Sequence, residues 1–355
     1  MILDEPVRGS FAYLEQPGLF AVPAIDQLGL FIERRFPAPP LTHLTGLVVD
    51  DASEGASTWS IPASPGWQTA AGVFAGGTLA FVADAALAGA VFTTLPTGTA
   101  LVSSDLSMNF LESAGPSSER LVAKGTVIDV GRRQGLSEAR VEDGRGRLLA
   151  HATSRCVLQP LSFEPPEPPD EWLPVEASVV ESADPYLRPA EGEVVSQGVW
   201  DETSGLHLVQ FWQKGERPAS PSCSLLGLRF VEVAEGSVTL AMPASLWFCT
   251  AFGTFYGGVL SALADAAINT AVTTTLPPGT SFGTLDLKMN FLRPVSPDGR
   301  DLFARASVEQ RGRTIAVSTA RIDDADGKRV AMATGSAMIS EGRPWPTPGE
   351  WKEVP

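Results

Sequence analysis

The sequence predicts an α+β fold built twice: two domains in tandem, each an antiparallel sheet wrapped around one long central helix. The chain repeats itself at a fixed offset, each copy holds one long segment that is apolar on every face, and the rest of each copy alternates in the two-residue period of half-buried strands. The segment LPTGTALVSSDLSMNFLESAG (95–115) answers to LPPGTSFGTLDLKMNFLRPVS (276–296), an offset of 181 (276 − 95). Under that offset Gly46 meets Gly227, Gly76-Gly77 meets Gly257-Gly258, and Asp84 meets Asp265. Farther on, Asp105 meets Asp286 and Gly131-Arg132 meets Gly312-Arg313. A gap-free match of this length is a duplication.

The elements follow in order within each copy. Residues 42–60 and 223–243 alternate and carry a Glu-Gly turn, which reads as a hairpin. Residues 76–94 and 257–275 form the long apolar helix, ended by Leu-Pro and a Gly-Thr turn. Three further strands follow, so one helix and five or six antiparallel strands share a domain, and the helix must bury itself against one sheet face. The expected boundaries are a first domain at 1–160, a Pro- and Glu-rich linker over the surface at 161–196, a second domain at 197–341 and a C-terminal tail at 342–355.

Composition narrows the function. At 355 residues the chain has room for two ordinary domains, and 44% hydrophobic with 19% charged residues is globular. A formal charge of −15 argues against nucleic acid or an anionic membrane surface as partner, though not against a small anionic substrate held by a few arginines. The N-terminal stretch MILDEPVRGSFAYLEQ lacks the apolar core of a secretory signal. The apolar runs break before the roughly 20 residues that a membrane span needs. Cys156, Cys223 and Cys249 show no CxxC-type spacing and are expected to be reduced core thiols of a cytoplasmic protein.

The three histidines, His43, His151 and His207, align with Ser224, Met332 and Asp26, so the copies share none. A Ser-His-Asp or Cys-His device common to both halves is excluded, as is a His-based zinc site. Gly76-Gly77 opens a helix but lacks the spacing of a dinucleotide fingerprint. What both copies keep is Gly-Gly at a helix start and an aspartate two turns later. A glycine pair can serve tight packing alone. It also leaves the first helix amides unpaired, at the positive end of the dipole, where they could polarise a carbonyl oxygen. Asp84 and Asp265 sit among apolar neighbours, where an unpartnered carboxylate is costly. Eight residues separate Gly76 from Asp84, about 12 Å along a helix. A carbonyl held at the helix start is therefore beyond reach of the same helix's aspartate. If both act on one substrate, the aspartate comes from the other copy: Asp84 faces the amides at Gly257, and Asp265 faces those at Gly76.

GGTLAFVAD with SSDLSMNFL, and GGVLSALAD with GTLDLKMNFLRPV, resemble the signature of hot-dog-fold acyl-CoA thioesterases of the phenylacetate-pathway type. That signature is His-Gly-Gly, an acidic residue nine positions after the His, and a strand of the form T-x-D-L-x-x-x-F-L-R-P. The resemblance covers both copies and implies a tandem double hot dog that hydrolyses thioesters where the two hot dogs meet. By resemblance, Asp84 and Asp265 are nucleophile or general base, the amides of Gly76 and Gly257 hold the thioester oxygen, and Gly77 and Gly258 line the site. Ser103 and Thr284 occupy the family's hydroxyl position two residues before the strand aspartate, where a hydroxyl assists the water or the acid. Arg132 and Arg313 match a basic turn near which CoA phosphates bind. Two departures stand out. The signature His is Ala75 in one copy and Tyr256 in the other, so Tyr256 could narrow one acyl pocket. The family's upstream Asn or Gln is Thr69 and Thr250.

The resulting expectation is a cytoplasmic acyl-CoA thioesterase that needs no metal or redox cofactor, with a chain that pairs as a homodimer so that four hot dogs pack together. A binder of acyl-CoA with one or no working site is the alternative that the missing His and Asn favour and the two buried aspartates oppose. A hot-dog hydratase would want a catalytic His beside an acid, which the histidine count opposes.

Overall fold

The structure is a computed structural model that describes residues 2–169, 172 and 183–342. The first repeat runs through helices α1 (Ala12–Glu15), α2 (Ala24–Ile32), α3 (Pro40–Thr45) and α4 (Gly76–Phe92). Its strands are β1 (Val48–Ser53), β2 (Ala56–Pro62), β3 (Thr99–Ser103), β4 (Asp105–Phe110), β5 (Arg120–Val130), β6 (Gln134–Asp143) and β7 (Leu148–Pro160). The second repeat holds α5 (Gln197–Glu202), α6 (Gly205–Lys214), α7 (Pro221–Leu226) and α8 (Gly257–Thr273). Its strands are β8 (Arg229–Ala234), β9 (Ser237–Pro243), β10 (Thr280–Phe291), β11 (Asp301–Arg311), β12 (Ile315–Asp323) and β13 (Arg329–Glu341).

All the strands among the described residues belong to one antiparallel sheet in the order β1-β2-β5-β6-β7-β4-β10-β13-β12-β11-β9-β8, with β3 paired to β7. The two halves join through β4 and β10, with Ser107 opposite Lys288, its own repeat equivalent. A pseudo-twofold axis therefore passes through that pair, and the duplication is a symmetry of the molecule.

Each half-sheet curls around its long helix. In α4, fifteen of 17 residues are buried, because the sheet covers the helix on one side and α8 covers it on the other. In the first repeat the approach of helix to sheet is very close. A Cβ on Gly125 of β5 would lie 2.2 Å from the Ala86 carbonyl oxygen. The sheet hydroxyls of Ser57 and Ser137 donate to the α4 carbonyls of Ala86 and Leu87 at 3.0 and 2.9 Å. One of three buried clusters among the described residues draws from both long helices and both half-sheets, including Phe81, Leu106 and Met108 of the first repeat and Trp247, Leu263 and Met289 of the second.

Several boundaries differ from the sequence expectation. Residues 42–45 and 223–226 close the short helices α3 and α7, so the hairpins start only at β1 and β8. Gly46 and Gly227, both at positive φ, end those helices and release the chain into the strand. The long helices stop at Phe92 and Thr273, two residues early, with Thr93 and Thr274 as C-caps. The first repeat has seven strands because the stretch that forms β10 in the second is broken at Ser104 into β3 and β4. The helices at 24–32 and 205–214 were not anticipated. They begin 181 residues apart and lie on β1 and β8, so the duplication reaches farther than the recognisable identity.

The segments preceding the two repeats cross over. Residues 2–15 lie on the second repeat: the indole of Trp247 donates to Glu5 O at 3.3 Å, and Tyr13 N donates to Ala251 O at 3.2 Å. Residues 183–196 lie on the first: Val195 N donates to Ala70 O at 2.8 Å, and Ser64 Oγ donates to Tyr186 O at 3.1 Å. Arg188 clasps Glu5 with two bonds of 2.5 and 3.0 Å, which ties the arms together. The described part of the expected linker thus packs on the surface, with a 3₁₀ turn at Pro185–Leu187. Residues 170–171, 173–182 and 343–355, which include most of the expected tail, lie outside the described residues. Among the described residues no helix is long and apolar enough to cross a membrane.

Candidate active site

Both long helices start abruptly. Ala75 and Tyr256 precede them in extended conformation, and no side chain caps either end. The first amides are therefore left without intrahelical acceptors. The helices run antiparallel and touch through their N-terminal halves. A Cβ on Gly77 would lie 2.7 Å from Ala262 Cα, and one on Gly258 would lie 2.9 Å from the Phe81 carbonyl oxygen. Only glycine allows this approach, so the packing role of the pair and its exposure of amides coexist.

The approach sets each aspartate against the start of the other helix. Asp265 is fully buried, and its Oδ2 accepts the Gly77 amide at 2.8 Å. Asp84 is 2% exposed and is hydrogen-bonded by the Gly258 amide. The composite arrangement inferred from helix length is present twice. Its detail departs from expectation at Gly77 and Gly258, whose amides hold the carboxylates and are not free to line a substrate site. The amides of Gly76 and Gly257, one residue earlier, have no acceptor among the described residues.

Burial pushes both carboxyls up to about 6. Desolvation is the main cause. At Asp84 it is opposed by the Ser103 hydroxyl and the Gly258 amide, and at Asp265 by the Gly77 amide and Asn269. An acid near 6 holds both protonation states close to neutral pH, as a general base requires.

Ser103 and Thr284 are aimed by the same local device. The ladder of β10 slips between Thr284 and Asp286, and the first repeat breaks at the equivalent Ser104. An irregularity of this kind turns the preceding side chain off the regular face. Ser103 donates to Asp84 Oδ1 at 3.2 Å. Thr284 takes a different partner, Asn269 Oδ1 at 3.2 Å, and Asn269 Nδ2 donates to Asp265 Oδ2 at 2.9 Å. Asn269 escaped a reading based on the repeat because its counterpart is Ala88. Its position one turn after Asp265 was the available signal. The repeated strand aspartates are structural: Asp105 accepts the Arg155 amide at 3.0 Å, and Asp286 accepts the Ser336 hydroxyl.

The departures from the signature make the two sites unlike. The Tyr256 ring packs edge-on against Phe81, and its hydroxyl donates to the Phe81 carbonyl at 2.6 Å. Burial and the nearby Asp84 charge push its phenol well above the ordinary range, so it stays a neutral donor. Ala75, at the other site, offers only a methyl. Phe110 packs directly on Gly76, where a Cβ would meet its ring at 2.6 Å. Phe291 stands 3.6 Å from the equivalent point at Gly257.

Thr69 and Thr250 do not reach the carboxylates. Their hydroxyls close their own loops, on Val73 O at 2.9 Å and on Thr254 Oγ1 at 3.0 Å. Arg132 and Arg313 lie exposed in the β5–β6 and β11–β12 turns, without an ion pair to a described residue. Gly135, beside the first turn, packs on Val91, two helical turns beyond Asp84.

The sequence model of the thioesterase superfamily matches residues 71–150 and 252–331, once in each repeat and across both helix starts and both aspartates. Both repeats belong to the thioesterase superfamily. This assigns the chain to the thioester hydrolases. Solved structures agree on the tandem fold. A TesB protein of Mycobacterium avium subspecies paratuberculosis is similar over 85% of this chain and 98% of its own, at 12% identity and a TM-score of 0.52. An acyl-CoA thioesterase II, TesB2, of Mycobacterium marinum is similar over 88% and 99%, at 12% identity and 0.50. A hot-dog-fold protein of Alicyclobacillus acidocaldarius covers 84% and 97%, at 15% identity and 0.51. These likenesses establish the double hot-dog fold of the thioesterase-superfamily chain. No curated protein matches it.

Proposed function

We propose that the chain hydrolyses acyl-CoA thioesters at composite sites in which the aspartate of one repeat works against the helix-start amides of the other. The observation that carries the reading is the hydrogen bond across repeats from Gly77 N to Asp265 Oδ2, 2.8 Å long between two wholly buried groups. A carboxylate kept in that position, raised toward neutrality, suits the removal of a proton from water.

In the proposed reaction, the thioester carbonyl oxygen accepts the free Gly76 amide at one site or the Gly257 amide at the other. Asp265 or Asp84 takes a proton from a water molecule, whose oxygen bonds to the carbonyl carbon. The oxyanion is held by the amide at the positive end of the helix dipole. As the C–S bond breaks, the leaving thiolate recovers the proton from the aspartic acid, giving a carboxylic acid and CoA-SH. Arg132 and Arg313 are the proposed contacts for CoA phosphates, and no residue is called on to hold a metal or redox group. The chain is proposed to pair as a homodimer.

Short-chain, long-chain and aromatic acyl-CoAs offered to the purified protein with a thiol reagent test this reading. Release of CoA from at least one class is expected. Binding without turnover across the panel would instead establish an acyl-CoA binder.

A further inference from the structure

The two composite sites differ in how the aspartate's oxygens are used. At Asp84, Oδ1 accepts the Ser103 hydroxyl at 3.2 Å, and the Gly258 amide also supports the carboxylate. At Asp265, Oδ2 accepts two N–H donors, Gly77 at 2.8 Å and Asn269 at 2.9 Å. Oδ1 of Asp265 is buried and has no hydrogen-bond partner among the described residues. A buried polar atom left alone is rare, and where it occurs it marks a place reserved for a ligand, a water or a reacting group.

We propose that Asn269 is the positioning residue of the Asp265 site: it occupies Oδ2 and the Thr284 hydroxyl, and so presents Oδ1 alone as the atom that accepts the proton. The geometry leaves no other assignment of the proton. An amide N–H cannot accept, so an oxygen held by two of them stays an acceptor, and any proton gained must sit on the other oxygen. Asn269 also diverts Thr284. That hydroxyl stands where Ser103 stands at the first site, and without the asparagine it would be free to bond Oδ1 as Ser103 does. The carboxylate faces the Gly77 amide from α4, Asn269 from its own helix, and Thr284 of β10 behind Asn269. No charged or titratable group contributes to its shift.

The inference rests on Asp265 acting on acyl thioesters, and its test separates the two. The parent protein is Asp84→Asn, in which turnover comes from the Asp265 site. On a substrate that the wild-type protein hydrolyses, adding Asn269→Ala is expected to lower kcat by about ten- to a hundredfold with KM nearly unchanged, through misplacement of the base. Loss of a donor to the charged carboxylate also moves the acid limb of the kcat profile to higher pH. Alanine is what the equivalent helix carries at Ala88, and thermal unfolding verifies that the variant folds. Asn269→Asp keeps the shape but sets a second carboxyl against Asp265, so its acid limb is expected to move farther still. An Asn269→Asp or Asn269→Ala protein with the parent's kcat and pH profile would refute the inference, because asparagine would then only fill space. So would a parent that has lost all turnover while Asp265→Asn keeps it. A wild-type protein that turns over no acyl-CoA contradicts the hydrolase reading itself.

Discussion

At the scale of residues, the two buried aspartates work against the stability of the fold. Each carboxyl is raised to about 6, whereas in an unfolded chain it would sit near its ordinary 3.8. The folded protein therefore holds these protons more tightly than the unfolded chain does. The penalty is absent below about pH 4, grows as the unfolded chain's carboxyls ionise while the folded ones keep their protons, and levels off above about pH 6, where the folded carboxyls ionise too. Asp265→Asn should accordingly stabilise the protein by on the order of 2 kcal/mol at pH 8 and have little effect at pH 3.5, as read by thermal unfolding at the two values. On the proposed mechanism, in which the ionised carboxylate takes the proton from water, the same shift predicts that hydrolysis declines below about pH 6. Asp84→Asn and Asp265→Asn should each remove part of the activity and the double variant all of it. A fully active double variant would sink the assignment of both residues. Burying two carboxylates that lower stability at neutral pH is the trade expected where function and folding compete.

At the scale of elements, the proposed sites are built by the antiparallel pair α4 and α8, which neither repeat can supply alone. Their closeness depends on backbone with no side chain. Gly77→Ala would place a methyl 2.7 Å from Ala262 Cα and 2.9 Å from Asp265 Cβ, contacts with backbone and the helix-borne carboxylate that cannot yield without separating the helices. A loss of about 1–3 kcal/mol is expected, as for overpacked cores, together with a large fall in turnover from the stretched Gly77–Asp265 bond. Denaturant titration and a kcat measurement read the two effects. Gly98→Ala is the control. It lies in an open turn, where nothing lies within 4 Å of the added carbon, and although its positive φ costs some stability, the helix pair is untouched.

At the scale of the molecule, the crossed arms and the shared core tie the two hot dogs together. The arm-to-arm clasp between Arg188 and Glu5 holds the Glu5 carboxyl below its usual range. The clasp therefore contributes above the ordinary carboxylate pKa and fades on acidification. Because Glu5 is partly exposed, the effect of Glu5→Gln should be small, within about 1 kcal/mol, and absent at low pH. Beyond the protomer, a homodimer predicts a native mass twice the 37.5 kDa of the chain. Native mass spectrometry measures it, and a mass of one chain would refute the pairing.

The duplication is written in the sequence at its offset of 181, and with it come the two domains, the long buried helices and both aspartates. Helix rise sets the two features about 12 Å apart on one helix, so that if both act on one substrate the aspartate comes from the other copy. Those properties are local or periodic, so a linear chain displays them. Which amide meets the carboxylate is not of that kind. Gly77 and Gly258 take that part, and Gly76 and Gly257 remain free, because of how far one helix slides along the other. The same packing brought Asn269 between Thr284 and Asp265 and turned the Tyr256 hydroxyl onto Phe81. It also sent each N-terminal arm across to the opposite repeat. Contacts between residues far apart in the chain leave no periodic trace, and where the copies differ, as at Asn269 and Ala88, the repeat itself conceals them. The chain therefore spells out one frame twice, already unlike at Ala75 and Tyr256, and the tertiary structure decides what those differences touch.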